Sequence, residues 1–179
     1  MEPMLDEIRA TYNCGIYYPV VSSVLMLPDA CGAVEYWGQI KRPRDRYIEW
    51  YDKWVLPHFR ANIVNFDGSV LYIVRNAMIH ESTGFTRGEH GFDRIFFMPP
   101  NKTSGSTEFL FTDGIGGVPE AAFMVTILGL MNAVETGVRN WLSEVRADPD
   151  ERRAEALSKL VQYRPDGHPP HIMGIPIVS

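Results

Sequence analysis

Residues 69–81 read Ser-Val-Leu-Tyr-Ile-Val-Arg-Asn-Ala-Met-Ile-His-Glu, and they predict an amphipathic helix. The apolar residues recur at the i, i+3, i+4 spacing of one buried helical face, and they are Val70, Leu71, Val74, Ala77 and Met78. Asp67 stands just before the segment and is a suitable N-cap. The segment is therefore expected to pack one side against a helical core.

The same segment carries a cation, an amide and an imidazole, on Arg75, Asn76 and His80. Asn76 and His80 are four residues apart and share a face, whereas Arg75 is about 140° from His80 at 100° per residue. Only the long side chain of Arg75 can bring its guanidinium back toward the imidazole. In a purely structural alternative, Arg75 pairs with an acid such as Glu81 or Asp67, and His80 interacts with the helix end.

Further helices are expected on both sides of this segment. Apolar periodicity predicts helices at residues 1–12, 19–37, 46–56, 119–145 and 148–161, with a kink or break near Pro28. The third of these helices has aromatic residues at helical spacing, namely Tyr47, Trp50, Tyr51 and Trp54. We interpret that stripe as a core face in preference to a surface that stacks bases.

Two short strands are expected between the helices. Residues 94–98 and 107–111 have strand-forming side chains and are separated by Pro99, Pro100 and Gly105, which predicts an inserted β-hairpin at about residues 93–112. The sequence thus predicts a single, mainly α-helical domain over residues 1–162. A Pro- and Gly-rich extended tail is expected at residues 163–179.

Composition and charge limit the classes of function. Hydrophobic residues make up 45% of the 179 residues, which supports a real core. The two cysteines, Cys14 and Cys31, predict neither a disulfide framework nor a zinc site. The start of the chain lacks the features of a signal peptide, and the longest apolar run, residues 121–131, is too short to span a bilayer. We therefore expect a cytoplasmic protein that does not enter a membrane.

The charge pattern bears on nucleic-acid binding. A net charge of −5 counts against a broad surface for nucleic acids. One dense basic cluster, Lys41, Arg42, Arg44 and Arg46, could still form a local patch. We interpret it as a solvated loop that precedes a helix.

The spacing of Arg75, Asn76 and His80 within a helical domain resembles the motif of the HEPN superfamily of small α-helical proteins. The wider segment, residues 71–81, is also similar to uncharacterised bacterial helical proteins with a Leu-Tyr, Arg and His signature. Active HEPN proteins are metal-independent endoribonucleases that act as dimers with the motif near the interface, and other members lack that activity. The resemblance implies a HEPN-like helical bundle, a homodimer, RNA as substrate, and no metal or cofactor.

On this resemblance, Arg75, Asn76 and His80 are the expected catalytic residues. His80 would exchange a proton with the RNA 2′-hydroxyl or the leaving oxygen, and Arg75 would hold the phosphate. Asn76 would orient His80 or contact the phosphate. Two alternatives remain open: a non-catalytic module that binds a second copy or a partner protein, and a binder of nucleotides or phosphates that does not cut RNA.

Overall fold

Helices dominate the part of the chain that the structure describes. The computed structural model describes residues 1–59, 66–80, 93–100, 110–111, 122–148 and 151–160, and parts of 163–178. The helices are Glu2–Asn13 (α1), Tyr17–Glu35 (α2), Pro43–Trp54 (α3), Gly68–His80 (α4), Ile127–Ala147 (α5) and Glu151–Ser158 (α6), with a 3₁₀ turn at Leu56–His58. The predicted mainly α-helical class is confirmed.

The core lies around α2, which contacts each of the other five helices. The aromatic stripe of α3 points into this core, because Tyr47, Trp50 and Tyr51 are fully buried. The Trp50 ring meets the Trp141 ring of α5 edge to face, with 5.9 Å between the ring centroids. The interpretation of the stripe as a core face is therefore confirmed.

Pro28 does not break α2. Of the predicted kink or break, the break is absent, because the helix continues through this proline to Glu35. Proline removes one backbone hydrogen bond in a helix interior, at a cost of about 3 kcal/mol. On both sides of Pro28 the helix buries apolar side chains, such as Leu27 and Cys31, and this burial offsets the lost bond.

The basic cluster lies partly in the connection before α3 and partly in the first turn of that helix. α3 begins at Pro43, with Arg42 as its N-cap residue, so Arg44 and Arg46 are helical. Proline suits the first helical position, where its missing N–H has no partner to lose. The predicted start of this helix at residue 46 was too late for that reason.

The inserted strands do not form a hairpin. Strand Arg94–Met98 (β1) pairs in parallel with Ala122–Thr126 (β3), and Leu110–Phe111 (β2) pairs antiparallel with β3 on its other side. β3 is thus the middle strand of a three-stranded sheet. The predicted hairpin is wrong because β3 lies between the two strands that were expected to pair.

The helix that was predicted from residue 119 begins only at Ile127. Phe123 and Val125 alternate toward the core and are buried, which is the pattern of a strand. The side chain of Thr126 then caps α5, since its hydroxyl oxygen accepts from the backbone N–H of Gly129 at 3.2 Å.

The end of the chain turns back on itself. Tyr163–Arg164 (β4) pairs antiparallel with Ile177–Val178 (β7), and Gly167–His168 (β5) pairs with Ile172–Met173 (β6). The residues that were predicted to form an extended tail therefore include two short antiparallel ladders.

Candidate functional site

The start of α4 is fixed by two aspartates. The Asp67 side chain accepts hydrogen bonds from the backbone N–H groups of Ser69, at 3.0 Å, and Val70, at 3.1 Å. This confirms the predicted N-cap. The backbone N–H of Gly68 donates to Asp52 of α3 at 2.7 Å. A Cβ atom on Gly68 would lie 2.6 Å from the carbonyl oxygen of Ile48, so glycine allows this close approach to α3.

α4 buries the face that the sequence predicts. Val70, Leu71, Val74 and Ala77 are buried, and Met78 packs against the core. Arg75 and Asn76 lie on the other, half-buried side of the helix. The core contacts of α4 therefore hold these two polar residues in a defined position.

Arg75 forms an ion pair with Asp29 of α2. Its Nη2 atom lies 2.7 Å from the Asp29 carboxylate, and the side chains are only 18% and 29% exposed. Its Nη1 atom donates to the side-chain oxygen of Asn76 at 2.9 Å. The structure thus brings Arg75 and Asn76 together and adds an acidic residue that the sequence argument did not include.

Asp29 is a partner of Arg75 that was not among the acids proposed from the sequence. Glu81 lies outside the described residues, and the Asp67 carboxylate is used by the start of α4. A signal for Asp29 was present in the sequence, because it interrupts the apolar residues of α2 and a charge in such a helix needs a partner. Periodicity could not identify which helix supplies that partner.

His80 is the last residue of α4. Its side chain lies outside the part of the chain that the structure describes. Its expected role in proton transfer therefore stays a prediction, whereas the pairing of Arg75 with Asn76 is a structural fact.

Tyr47 connects this pair to α3. Its ring meets the Tyr72 ring of α4 edge to face at 5.4 Å, and its hydroxyl donates to the backbone carbonyl of Leu25 at 3.0 Å. Burial raises the pKa of Tyr47 well above its ordinary value, the Asp29 charge adds to the rise, and Arg75 opposes it. Tyr47 is therefore a neutral, buried contact beside the Asp29–Arg75 pair.

The first turn of α3 reaches the same stretch of α2. A Cβ atom on Gly32 would lie 2.9 Å from the carbonyl oxygen of Arg46, so the two helix backbones touch there. Gly32 is three residues beyond Asp29, or about 4.5 Å along the helix axis at 1.5 Å per residue. The first turn of α3, with Arg46, therefore contacts α2 within one turn of Asp29, the partner of Arg75.

The arginines of the basic cluster form no ion pair with the acids of the described ranges, although Asp45 lies between Arg44 and Arg46 in the sequence. Arg42 and Arg44 are exposed and Arg46 is half-buried, and none of the three forms an ion pair with any residue in the described ranges. Lys41 differs, because it pairs with Glu49 and lies over the Tyr36 ring at 3.8 Å. Burial and the neighbouring Glu49 raise the pKa of Tyr36 to about 12. Arg42, Arg44 and Arg46 are hereafter called the arginine cluster, and guanidinium groups of this kind can bind phosphates.

Comparisons with protein-family models, with curated proteins and with solved structures found no match to this chain. Within the described helices, no segment has both the length and the apolar character that a bilayer span requires. Among the described side chains, no three metal-binding residues converge.

Proposed function

We propose that this protein is a HEPN-like ribonuclease. We propose that it binds single-stranded RNA on α4 and on the first turn of α3. The observation that carries the proposal is that the first turn of α3, which carries Arg44 and Arg46, contacts α2 within one turn of Asp29, the ion-pair partner of Arg75. RNA binding needs clustered cations that neutralise several phosphates, and a single arginine would not be sufficient.

The proposed reaction is cleavage of the RNA backbone by its own 2′-hydroxyl. His80 takes the proton of that hydroxyl or gives a proton to the leaving 5′-oxygen, and an unperturbed imidazole, with a pKa of about 6.5, suits both steps near neutral pH. Arg75 stabilises the charge that develops on the non-bridging oxygens. A dimer that joins two copies of α4 across a two-fold axis would provide two imidazoles, one as base and one as acid.

A second candidate function is a non-catalytic module that binds another protein or a second copy of the chain. The Asp29–Arg75 pair favours it, because Asp29 already neutralises the guanidinium that the ribonuclease would need. In this case Arg75 joins α2 to α4, and the partner contacts lie elsewhere on the surface. The two candidates differ in what Arg75 does, which makes them separable by experiment.

The test is cleavage of a mixture of single-stranded RNA in EDTA by purified wild type and by the variant His80→Ala. His58→Ala is the matched control, because His58 is exposed and its ring contacts only Asn140 among the described residues. The proposal expects cleavage by wild type and by His58→Ala, and none by a folded His80→Ala protein. Light scattering on the same samples measures the oligomeric state.

The arginine cluster provides a second arm of the test. We expect Arg44→Ala to weaken RNA binding and to reduce the dependence of log affinity on log salt by about 0.7. Arg146→Ala is its control, because Arg146 is paired with Glu2. Absence of cleavage by wild type, or cleavage that survives His80→Ala, contradicts the ribonuclease proposal. RNA binding without cleavage would contradict the proposed reaction and support only the proposed RNA-binding surface.

A further inference from the structure

A cleft lies beside the connection between α2 and α3. It has a volume of about 200 Å³ and is lined by Glu35, Trp37, Gln39, Arg152 and Arg153. Trp37 is 43% exposed, which is unusual for so large an aromatic side chain in a chain that buries Trp50 and Trp141 completely. Packing in the core therefore does not explain this side chain, and the cleft offers another role.

One wall of the cleft is rigid. Arg153 is held by three acids, since its Nη1 donates to Glu35 at 2.9 Å and to Glu144 at 3.3 Å, and its Nε donates to Asp148 at 2.8 Å. The same Glu35 carboxylate accepts from the indole N–H of the buried Trp141 at 2.8 Å. Arg153 therefore shapes the cleft and is not the group that binds an anion there.

Cations lie beside Trp37 in the fold and follow it in the sequence. The Lys159 amine of the segment after α6 forms an ion pair with Glu155 at 2.6 Å and lies 4.9 Å from the centre of the Trp37 ring, and Arg152 of α6 lines the cleft. After Trp37, the chain turns at Gly38, whose φ of +76° favours glycine, and leads to Arg42 at the start of α3. The exposed ring of Trp37 thus lies beside cations of α6 and of the segment after it, and it precedes the arginine cluster along the chain.

This order of groups is what a single-stranded nucleic acid requires. Such ligands are bound by cations that follow the phosphates and by aromatic rings on which single bases stack. The cleft is smaller than the 300–1,000 Å³ typical of pockets for larger ligands, and its size suits one flat base. Gln39 adds an amide that can both donate to and accept from a base edge.

We infer that Trp37 stacks one unpaired base of the RNA in this cleft, while the phosphates on either side contact the arginine cluster and the α6 cations. The inference rests on the proposed function, because it describes how the same RNA extends from the α4 site. It predicts preference for single-stranded over duplex RNA, since paired bases cannot enter the cleft.

The experiment measures the affinity of a labelled 12-nucleotide RNA by fluorescence anisotropy, in the His80→Ala background so that the RNA stays intact. We expect Trp37→Ala to weaken binding by about 5- to 150-fold, which is the equivalent of about 1–3 kcal/mol for one stacked base. Ile40→Ala is the matched control, because Ile40 is fully exposed on the same connection. It should change the affinity less than twofold. Thermal melts establish that each variant is folded.

The outcomes separate the inference from the function on which it rests. If the His80→Ala protein does not bind the RNA at all, both the proposed function and the inference are overturned. If Trp37→Ala binds as tightly as its parent while Arg44→Ala binds less tightly, only the stacking inference is overturned. Equal losses of RNA affinity in Trp37→Ala and Ile40→Ala would also overturn the stacking inference. If the parent protein in addition binds vesicles that contain phosphatidylserine, the result would indicate that the connection between α2 and α3 inserts into an anionic membrane.

Discussion

Replacement of Arg75 tests whether the Asp29–Arg75 pair is a structural link between α2 and α4. Arg75→Ala removes the guanidinium and leaves the half-buried Asp29 carboxylate without its cation at 2.7 Å. Loss of one partner costs about 3–5 kcal/mol for a buried pair, and an exposed pair contributes about 0–1 kcal/mol. With side chains 18% and 29% exposed, this pair lies between those limits, and we expect a loss of about 2 kcal/mol.

The assay is urea unfolding combined with thermal melts. For a chain of this size, about 2 kcal/mol corresponds to a decrease of about 4–8 °C in the melting temperature. Asp29→Asn and the double variant complete a double-mutant cycle, in which we expect a coupling free energy of at least about 1 kcal/mol. The control is Arg146→Ala, because the Arg146–Glu2 pair has the same 2.7 Å separation but side chains 58% and 44% exposed. That variant should melt close to wild type.

A coupling free energy near zero would refute this reasoning, because the short distance would then contribute nothing to stability. If Arg75→Ala in addition abolishes RNA cleavage without a change in melting temperature, Arg75 acts on the substrate. If it lowers the melting temperature and RNA binding is absent from wild type as well, the non-catalytic module is the better description of the protein.

Two further predictions concern the helix packing that supports the site. Gly137→Ala should destabilise the protein by about 1–3 kcal/mol, because the new Cβ would lie 2.5 Å from the carbonyl oxygen of Trp54. The control is Ser143→Ala, an exposed position in the same helix, which should not destabilise the protein. Equal urea midpoints for the two variants would contradict the close packing of α3 on α5. Burial raises the pKa of Asp52, the hydrogen bond from the Gly68 N–H lowers it, and the charge of Asp67 raises it further. The folded state therefore loses stability as the pH rises above about 3.9, the pKa of an aspartate in the unfolded chain. Asp52→Asn keeps an acceptor for the Gly68 N–H and removes the buried charge, so the variant should be more stable than wild type at pH 7 but not at pH 3. A variant that is less stable than wild type at pH 7 would contradict this reasoning.

The helices were predictable because their signals are local. The N-cap and the apolar face of α4 lie within one short segment, and both are found as the sequence predicts. The position of Pro43 in the first turn of α3 was also a local signal, but the charges that surround it indicated a loop. A helix start and a basic loop have similar composition, and only the fixed φ of proline distinguishes them here.

The strand at residues 122–126 was not predictable in the same way. Five residues with Phe123 and Val125 on one side fit a strand, but they continue without a turn into the apolar face of α5. The decision between strand and helix comes from pairing with β1, a contact between distant parts of the chain. Local periodicity does not contain that information.

The same reason explains what was missing from the candidate site. Asp29 comes next to Arg75, and the first turn of α3 comes next to the same part of α2, only through the packing of α2 against α3 and α4. Each was visible in the sequence as a charge in an apolar helix or as a basic stretch. Their proximity depends on how the helices cross, and residue spacing in the sequence does not specify that. The sequence therefore indicated Arg75, Asn76 and His80 without Asp29.

The net charge of −5 is a weaker argument against RNA binding than the sequence suggested. Many acidic residues are paired with cations of other elements, as in Glu2–Arg146, Asp6–Arg139, Glu135–Arg9 and Glu35–Arg153. Charges separated by more than about 8–10 Å are largely screened at physiological salt, so paired acids elsewhere on the surface do little to cancel a local cation cluster. The arginine cluster has no such pairs with described residues, and its field therefore acts on whatever ligand approaches that end.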